Sequence, residues 1–544
     1  MIRITKFIAR HLLLTTLLAI VLLAVLLSAA RILTPGLLSG YAEHIAALAS
    51  ERLDQPVSIG SVTARWHGIG PVLVLHEVAL GSSDPEAPSL TLDEISVDFG
   101  LADMLVSGYL APGRITVSGT RLIVTRHSDG NLSLRGVRGN RGADISHLLL
   151  IPARIRLQRA HVEWIDEFRG RPPVFLENVD LMIRNDRERH QVDADLSLAG
   201  HPVRLRADLR GTDVSELGSW SGEIYLSTRD LPLADALGAE IPQPYGLRSG
   251  RSDLELWATW ASGRMQSLSG HIQINSLELT GAGDSAFGVD AMGGQFEWRR
   301  TGNGWHFDMS DTVWRRAHMD RPFGHIGVSV AHTGTTAETI RIESDHLALE
   351  DMAGLLALGV PGKTLINELL NTRPAGEIHE LLVALRPNQG TFSISGDARG
   401  LEMMAYGRLP MIRNASGRFH ATANGGSLSL ATSDAIVHPV RMFRWPIPVD
   451  RLAGTLRWER HKGSWRLETD DLEARNPHIR TRTRMQLELR PGKRPFLDLQ
   501  TDFRDGIATY APFYYPVNVM KPGLLAWLDR SIADGRIPWG SAIV

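Results

Sequence analysis

Glu163, Asp166 and Glu167 cluster after a strand-like stretch, and a carboxylate pair is what a glycosidase uses as acid and nucleophile. Asp166 and Glu167 adjoin, so their side chains point to different sides of a strand, and the trio reads as a solvated strand end. Gly281, Gly283 and Gly288 lie beside a strand, but no dinucleotide-binding helix follows them, and a turn accounts for them. The 20 His residues are scattered. His420 and His438, on strand-like stretches, read as satisfied surface or core groups rather than ligands. Cysteine is absent, which excludes disulfides, thiolate metal sites and cysteine nucleophiles. No metalloprotease helix, phosphate loop or nucleophile elbow occurs. The expectation is a non-enzymatic chain with no catalytic, cofactor-binding or metal-ligating residue and no cofactor.

What remains is a question of where apolar residues go. Leu12 to Ala30 is an uncharged, Leu-rich run of 19 residues. As a helix it would be about 28 Å long at 1.5 Å per residue, which matches the hydrocarbon core of a bilayer. Leu12, Leu17, Val21, Leu26 and Ala30 mark the expected membrane anchor. Arg3, Lys6 and Arg10 precede the run and only Arg31 follows at once, so the positive-inside bias places the N-terminus in the cytoplasm. Ser28-Ala29-Ala30 offers a small-x-small cleavage site, but a signal peptide's apolar core is shorter, roughly 7 to 15 residues, and an uncleaved anchor is preferred. Pro35-Gly36 breaks the helix, and Leu37 to Leu53 resumes a helical pattern.

From Val57 onward the period is two. One spacing recurs as Leu73, Leu75, Val78, Leu80; as Leu90, Leu92, Ile95, Val97; as Val174, Leu176, Val179, Leu181; and as Ile272, Ile274, Leu277, Leu279. A second has a longer gap: Ile115, Val117, Leu122, Val124; Ile155, Leu157, Val162, Trp164; Ile340, Ile342, Leu347, Leu349; Trp465, Leu467, Leu472, Ala474. In both, the parity of the apolar positions flips midway. A flat strand would then turn half of them to the wrong face, whereas a bulge or kink at each flip restores one face and bends the sheet. The predicted fold is therefore mainly β: one N-terminal transmembrane helix, then an elongated, curved, mostly antiparallel β-sheet groove of repeated strands. Short helices are expected at Leu231 to Leu237, Asp351 to Leu358, Leu365 to Leu370 and Leu524 to Ile532. Asn303-Gly304 and Asn424-Gly425-Gly426 are hairpin signals. Trp66, Trp164, Trp298, Trp314 and Trp458 end or punctuate strands, where an indole can cap a sheet edge.

The domain reading is residues 1–31 as cytoplasmic tip and anchor, 32–56 as a juxtamembrane helix, 57–270 as a first β region, and 271–544 as continuing β repeats, incomplete at the C-terminus. Formal net charge is −2, with 58 basic and 60 acidic residues interspersed, so nucleic acid is not an expected partner.

Several stretches resemble one family. The anchor followed by Gln55-Pro56-Val57-Ser58-Ile59-Gly60, Trp66 and Pro71 looks like the N-terminus of the AsmA-like envelope proteins. Arg126-His127-Ser128-Asp129-Gly130-Asn131-Leu132 resembles their arginine–aspartate–glycine hairpin. Val162-Glu163-Trp164-Ile165-Asp166-Glu167, followed by Leu176-Glu177-Asn178-Val179, also matches. Tyr515-Pro516-Val517-Asn518-Val519-Met520 with Trp527-Leu528-Asp529 is similar to the YhdP branch. The resemblance implies a single-pass protein of a bacterial inner membrane whose bulk is a periplasmic β-groove, with phospholipid as cargo towards the outer membrane and other envelope proteins as possible partners. It also implies a chain that runs on past Val544. Ile115, Val117, Ile155, Leu157, Ile340 and Ile342 are the expected groove residues. The competing expectation is a non-enzymatic scaffold that docks envelope partners through exposed sheet edges. A membrane-anchored hydrolase ranks last for want of any motif.

Overall fold

The computed structural model describes residues 11–22, 39–53, 55–67, 70–81, 90–99, 112–129, 132–136, 154–170, 172–186, 188–212, 219–238, 244–281, 286–322, 324–333, 336–359, 370–407, 409–461 and 463–544 except 491 and 493, with a few isolated positions. More than half of the residues from Val57 on are strand. Two units are present: residues 1–236 with 253–266, and residues 237–252 with 267–544.

Residues 11–22 and 24–26 are helical, with Leu12, Leu17, Val21 and Leu26 exposed; Ala30 lies outside the described residues. Among the described residues no helix is long and apolar enough to cross a membrane. The expected juxtamembrane helix is α1 (Ala42–Leu53), entered through a 3₁₀ turn at Ser39–Tyr41.

The first unit is a meander. Its strands are β1 (Val57–His67), β2 (Gly70–Leu80), β3 (Leu90–Phe99), β4 (Pro112–Arg126), β5 (Leu132–Leu134) and β6 (Arg154–Asp166). There follow β7 (Val174–Asp186), β8 (Arg189–Leu198), β9 (His201–Arg210) and β10 (Ser221–Pro232), closed by α2 (Leu233–Leu237). Each strand pairs antiparallel with the next, except that β4 and β6 run parallel and β5 pairs with the end of β4. A parallel pair needs a long connection, which residues 127–153 supply.

Strand β11 (Gly246–Ala261) is divided between the units, and most of β12 (Arg264–Thr280) belongs to the second. That unit continues through β13 (Ala286–Thr301), β14 (Gly304–Arg316), β15 (Met319–Pro322), β16 (Ile326–Thr333), β17 (Thr336–Ala348) and α3 (Leu349–Gly359). Next come β18 (Ala375–Arg386), β19 (Thr391–Met403), β20 (Met411–Thr422), β21 (Gly425–His438) and β22 (Ile447–His461). It ends with β23 (Ser464–Arg475), β24 (Arg480–Leu489), β25 (Phe496–Ile507), α4 (Pro522–Ser531) and β26 (Arg536–Ile543). From β12 onward its described pairings are antiparallel, with β15 a short addition to β14. The hairpins expected at Asn303-Gly304 and Asn424-Gly425 join β13 to β14 and β20 to β21. Three of the four short helices appear as α2, α3 and α4, each within a few residues of expectation. Most of Leu365 to Leu370 lies outside the described residues.

The parity flips have a backbone cause. Glu77 (φ 53°), Gly119 (φ 65°), Arg159 (φ 50°), Asn178 (φ 49°) and Ser276 (φ 53°) are left-handed, and each sits in the gap where an apolar pattern changes parity. In the first unit these gaps line up. The ladders pass over Gly60 and Glu77 together, then Glu77 and Asp93, then Asp93 and Gly119. The line continues to Arg159, whose amide donates to Asp180 Oδ1 at 3.2 Å, and to Asn178. One residue per strand is thus inserted along a common crease, so the side chains beyond it return to the same face. Val78, Leu80, Leu90 and Leu92 from beyond the crease pack with Leu75, Ile95 and Val117 from before it, as a sheet bent towards its apolar side requires.

Each non-glycine residue in this conformation costs about 1–2 kcal/mol, so the crease is retained against local preference. Gly119 is where the test is sharpest, because a Cβ there would also run into the Asp93 carboxylate. Gly119→Val is expected to destabilise the first unit by about 2 kcal/mol or more, read as a lower urea midpoint.

Candidate functional site

Following register from strand to strand exposes two unbroken apolar rows on one face of the first unit. One runs Val62, Leu75, Ile95, Val117, Leu157, Leu181, Ala194, Leu205, Leu226. The other, two residues along each strand, runs Ala64, Leu73, Val97, Ile115, Ile155, Ile183, Val192, Ala207, Ile224. Directly paired residues share a face, so both rows lie on the same side. Ile115 stands opposite Ile155, and Val117 opposite Leu157. The four expected groove residues of this unit are therefore brought together.

The second unit has its own row: Trp298, Phe307, Val328, Ile342, Val383, Ile394, Ala421, Gly426, Trp458, Leu467, Leu487, Leu497. Beside it lie Trp305, Val330, Ile340, Leu385 and Phe392. Ile342 and Ile340 occupy the two rows.

Depth separates these positions. Leu157 is 8% exposed and belongs to a closed cluster with Ala160 and Val179, against which Val117 also packs. Ile115, Ile155, Ile340 and Ile342 are half-buried. The substantial packing partners of each strand are its sheet neighbours; α1 lies against β1, and α3 against β13, β17 and β18. In the second unit α3 covers the part beyond the crease, where Phe287, Val289, Leu347 and Ile378 are buried. There Asp351, 2% exposed, is paired at 2.9 Å with Arg316, whose guanidinium lies 4.4 Å above the Phe287 ring. In the second unit α3 therefore lids one side of the crease, and among the described residues the rows on the other side are shielded chiefly by each other.

The opposite face is mainly polar. Arg114 pairs with Asp98 at 3.5 Å and Arg204 with Asp195 at 2.7 Å. The Arg189 guanidinium, hydrogen-bonded to Asp208, holds that carboxyl down to about 2. These pairs are solvent-screened and contribute little stability, but they fix which face is wet.

Of the acid trio at the end of β6, Glu167 is exposed, Glu163 half-buried and Asp166 buried. Asp166 is 7% exposed, directly opposite Arg126 across the parallel β4–β6 pair. His127 Nδ1 lies 2.9 Å from Glu167 Oε2 and its Nε2 2.7 Å from Ser133 Oγ, while Arg126 sits 4.5 Å above the Phe168 ring. Asp166 and Glu167 each have a basic partner, Arg126 and His127, and the group makes a structural corner rather than an acid–nucleophile pair. His438, half-buried, has its Nε2 3.3 Å from the Phe443 carbonyl oxygen, and His420 is exposed. Trp314 is buried at 6% exposure rather than at a rim, and Trp66, Trp164, Trp298 and Trp458 are half-buried.

The corner joins two separate sequence stretches, 126–133 and 162–167, on which the family likeness rested. A family model described as YhdP protein matches residues 1–543. The chain belongs to the YhdP family. A curated relative, the intermembrane phospholipid transporter YhdP of Escherichia coli (strain K12), is 22% identical over 550 residues, covering 96% of this chain. The chain spans 42% of that relative's length. No solved structure matches.

The YhdP-like C-terminal stretch has a defined job in the second unit. Asp529 of α4 pairs with Arg444 at 2.9 Å, and the Val517 amide donates to the Met442 carbonyl at 3.0 Å. Beneath, His478 stacks on Tyr510 with centroids 3.8 Å apart and meets the edge of Phe513 at 5.1 Å. Its Nδ1 lies 3.3 Å from the Tyr514 hydroxyl, which accepts from Asn476 at 2.8 Å. Burial pushes the His478 imidazole below its ordinary 6.5, with Asp450 opposing. A depressed folded value means the unfolded chain takes the proton first, so this contribution is full above pH 6.5 and is lost as pH falls through the folded value. His478→Phe should flatten the fall of the thermal midpoint between about pH 6.5 and 5.

The row members outside the six expected residues were accessible only through register. Val328, Val383 and Trp458 belong with Ile342, but no single-strand pattern says which residue of the next strand stands opposite.

Proposed function

We propose that this chain conducts phospholipid between inner and outer membranes, its acyl chains lying along the half-buried apolar rows of the β-groove. The observation that carries the reading is row continuity: in each unit one face stays apolar across strand after strand. Hydrocarbon is the ligand such a face suits, each buried methylene being worth about 0.8 kcal/mol. The curated relative's name says that it transports phospholipid between membranes, which supports the same cargo here. The function needs burial rather than bond-making, so the chain is non-enzymatic. Leu12 to Ala30 forms the single-pass inner-membrane anchor, with the N-terminus cytoplasmic and the β units periplasmic.

The test is lipid extracted from the purified full chain and measured by mass spectrometry. Phospholipid at a constant molar ratio is expected; a chain that purifies lipid-free and acquires none from vesicles overturns the proposal in favour of a scaffold. A periplasm-dependent reporter fused after Val544 should be active, and activity of a cytoplasm-only reporter would refute the topology.

A further inference from the structure

The geometry points to a divalent transition-metal site of the zinc class, formed by His346, Glu377 and His379 on the polar face of the second unit. Strands β17 and β18 place His346 directly opposite His379 and Ala348 opposite Glu377. The ladder between them passes over Asp345 and Glu380, and Glu380 is left-handed at φ 50°. The three side chains therefore stand immediately beside a crease position, on the face away from Ile342 and Val383.

Their donor atoms converge. His379 Nε2 is 3.0 Å from Glu377 Oε2, and His346 Nε2 is 3.8 Å from Glu377 Oε1. The two imidazoles meet edge to face with centroids 4.4 Å apart, and one ligand atom from each of the three residues lies within 4.8 Å of the others. Zinc holds nitrogen and oxygen ligands at about 2.0–2.2 Å in a tetrahedron, which sets them roughly 3.3 Å from one another. Small side-chain rotations close the difference.

A plain cross-strand ion pair explains less. It needs one imidazole on the carboxylate, whereas here two Nε2 atoms approach the same carboxylate, one at hydrogen-bond distance and one beyond it. The His346 and His379 side chains are 16% and 19% exposed, and Glu377 is 49% exposed. Two well-fixed nitrogens and one adjustable carboxylate would leave the fourth position to water. Metal ligation requires neutral imidazole, and burial lowers the His346 value. Two imidazoles with a single carboxylate suit zinc over magnesium or calcium, which prefer all-oxygen shells. Arg399, opposite Glu377 on β19, opposes a cation, but its guanidinium lies 3.8 Å from Asp397, which stands opposite His379. A bound ion would clasp β17 to β18 at the bend, independently of any lipid on the other face.

The experiment uses the untagged full chain, stripped with chelator and titrated with Zn2+ alone by calorimetry, with thermal midpoints recorded in parallel. One Zn2+ per chain and a raised midpoint are expected. His346→Gln with His379→Gln should weaken binding at least about ten-fold and abolish the midpoint rise, and Glu377→Gln, at an exposed position, should weaken it without changing the chelator-treated midpoint. Failure of the chain to take up Zn2+ overturns the site, as does unchanged affinity in both variants. An equal midpoint shift with Mg2+ overturns the assignment of metal class.

Discussion

Ile342→Asp and Val383→Asp, made singly, should each strongly reduce photocrosslinking of phospholipid while lowering stability by only about 1–2 kcal/mol. Both residues lie in the apolar row of the second unit, directly opposite each other on β17 and β18. Both are half-buried, and the helix that lids this unit covers the region beyond the crease. A carboxylate placed there keeps access to water and remains ionised, so it spoils the apolar path without being forced into a closed interior. Leu157→Asp is the contrasting variant. At 8% exposure, packed with Ala160 and Val179, it would bury a charge with no partner and should unfold the first unit. If Ile342→Asp proves as damaging as Leu157→Asp, the row is closed core and the conduit reading falls.

The second large effect is on stability. Arg316→Ala should cost about 3–5 kcal/mol, because it strips the cation from a carboxylate that is almost wholly enclosed. The Asp351 side chain is 3% exposed, and Arg316 is its ion-pair partner at 2.9 Å. The guanidinium also lies on Phe287, which is 1% exposed, so α3 would lose its main polar tie and a packing surface together. Replacing both members, as Arg316→Met with Asp351→Leu, should recover most of the loss, since no uncompensated charge then remains. Differential scanning calorimetry of the two variants decides it; equal losses would mean that the ion pair is not what holds α3.

The bent β architecture was legible because parity is a local property. Leu73, Leu75, Val78 and Leu80 cannot share a face on a regular strand, and the structure answers with a left-handed residue at Glu77. Hairpins at Asn303-Gly304 and Asn424-Gly425 were legible for the same reason. The parallel pairing of β4 with β6 was not, because the residues between them carry no signal of which edge the chain returns to. Depth was equally hidden. Ile155 and Leu157 have the same chemistry and spacing, yet one lies half-open and the other closes the crease, a difference set by Ala160 and Val179. Only Asp166 departs from a solvated strand end, because its partner, Arg126, comes from a strand that sequence proximity does not reveal.

The alignment of the crease from Gly60 through Glu77, Asp93 and Gly119 has a consequence for how such a chain can change length. Each strand carries its extra residue at the level where its neighbour carries one. Loss of a single residue within one strand would invert every side chain downstream while both neighbours stayed in phase. Insertions and deletions are therefore tolerated at hairpin tips, or inside strands only as matched changes in adjacent strands. A repeat of this kind can lengthen by whole strands far more readily than by single residues.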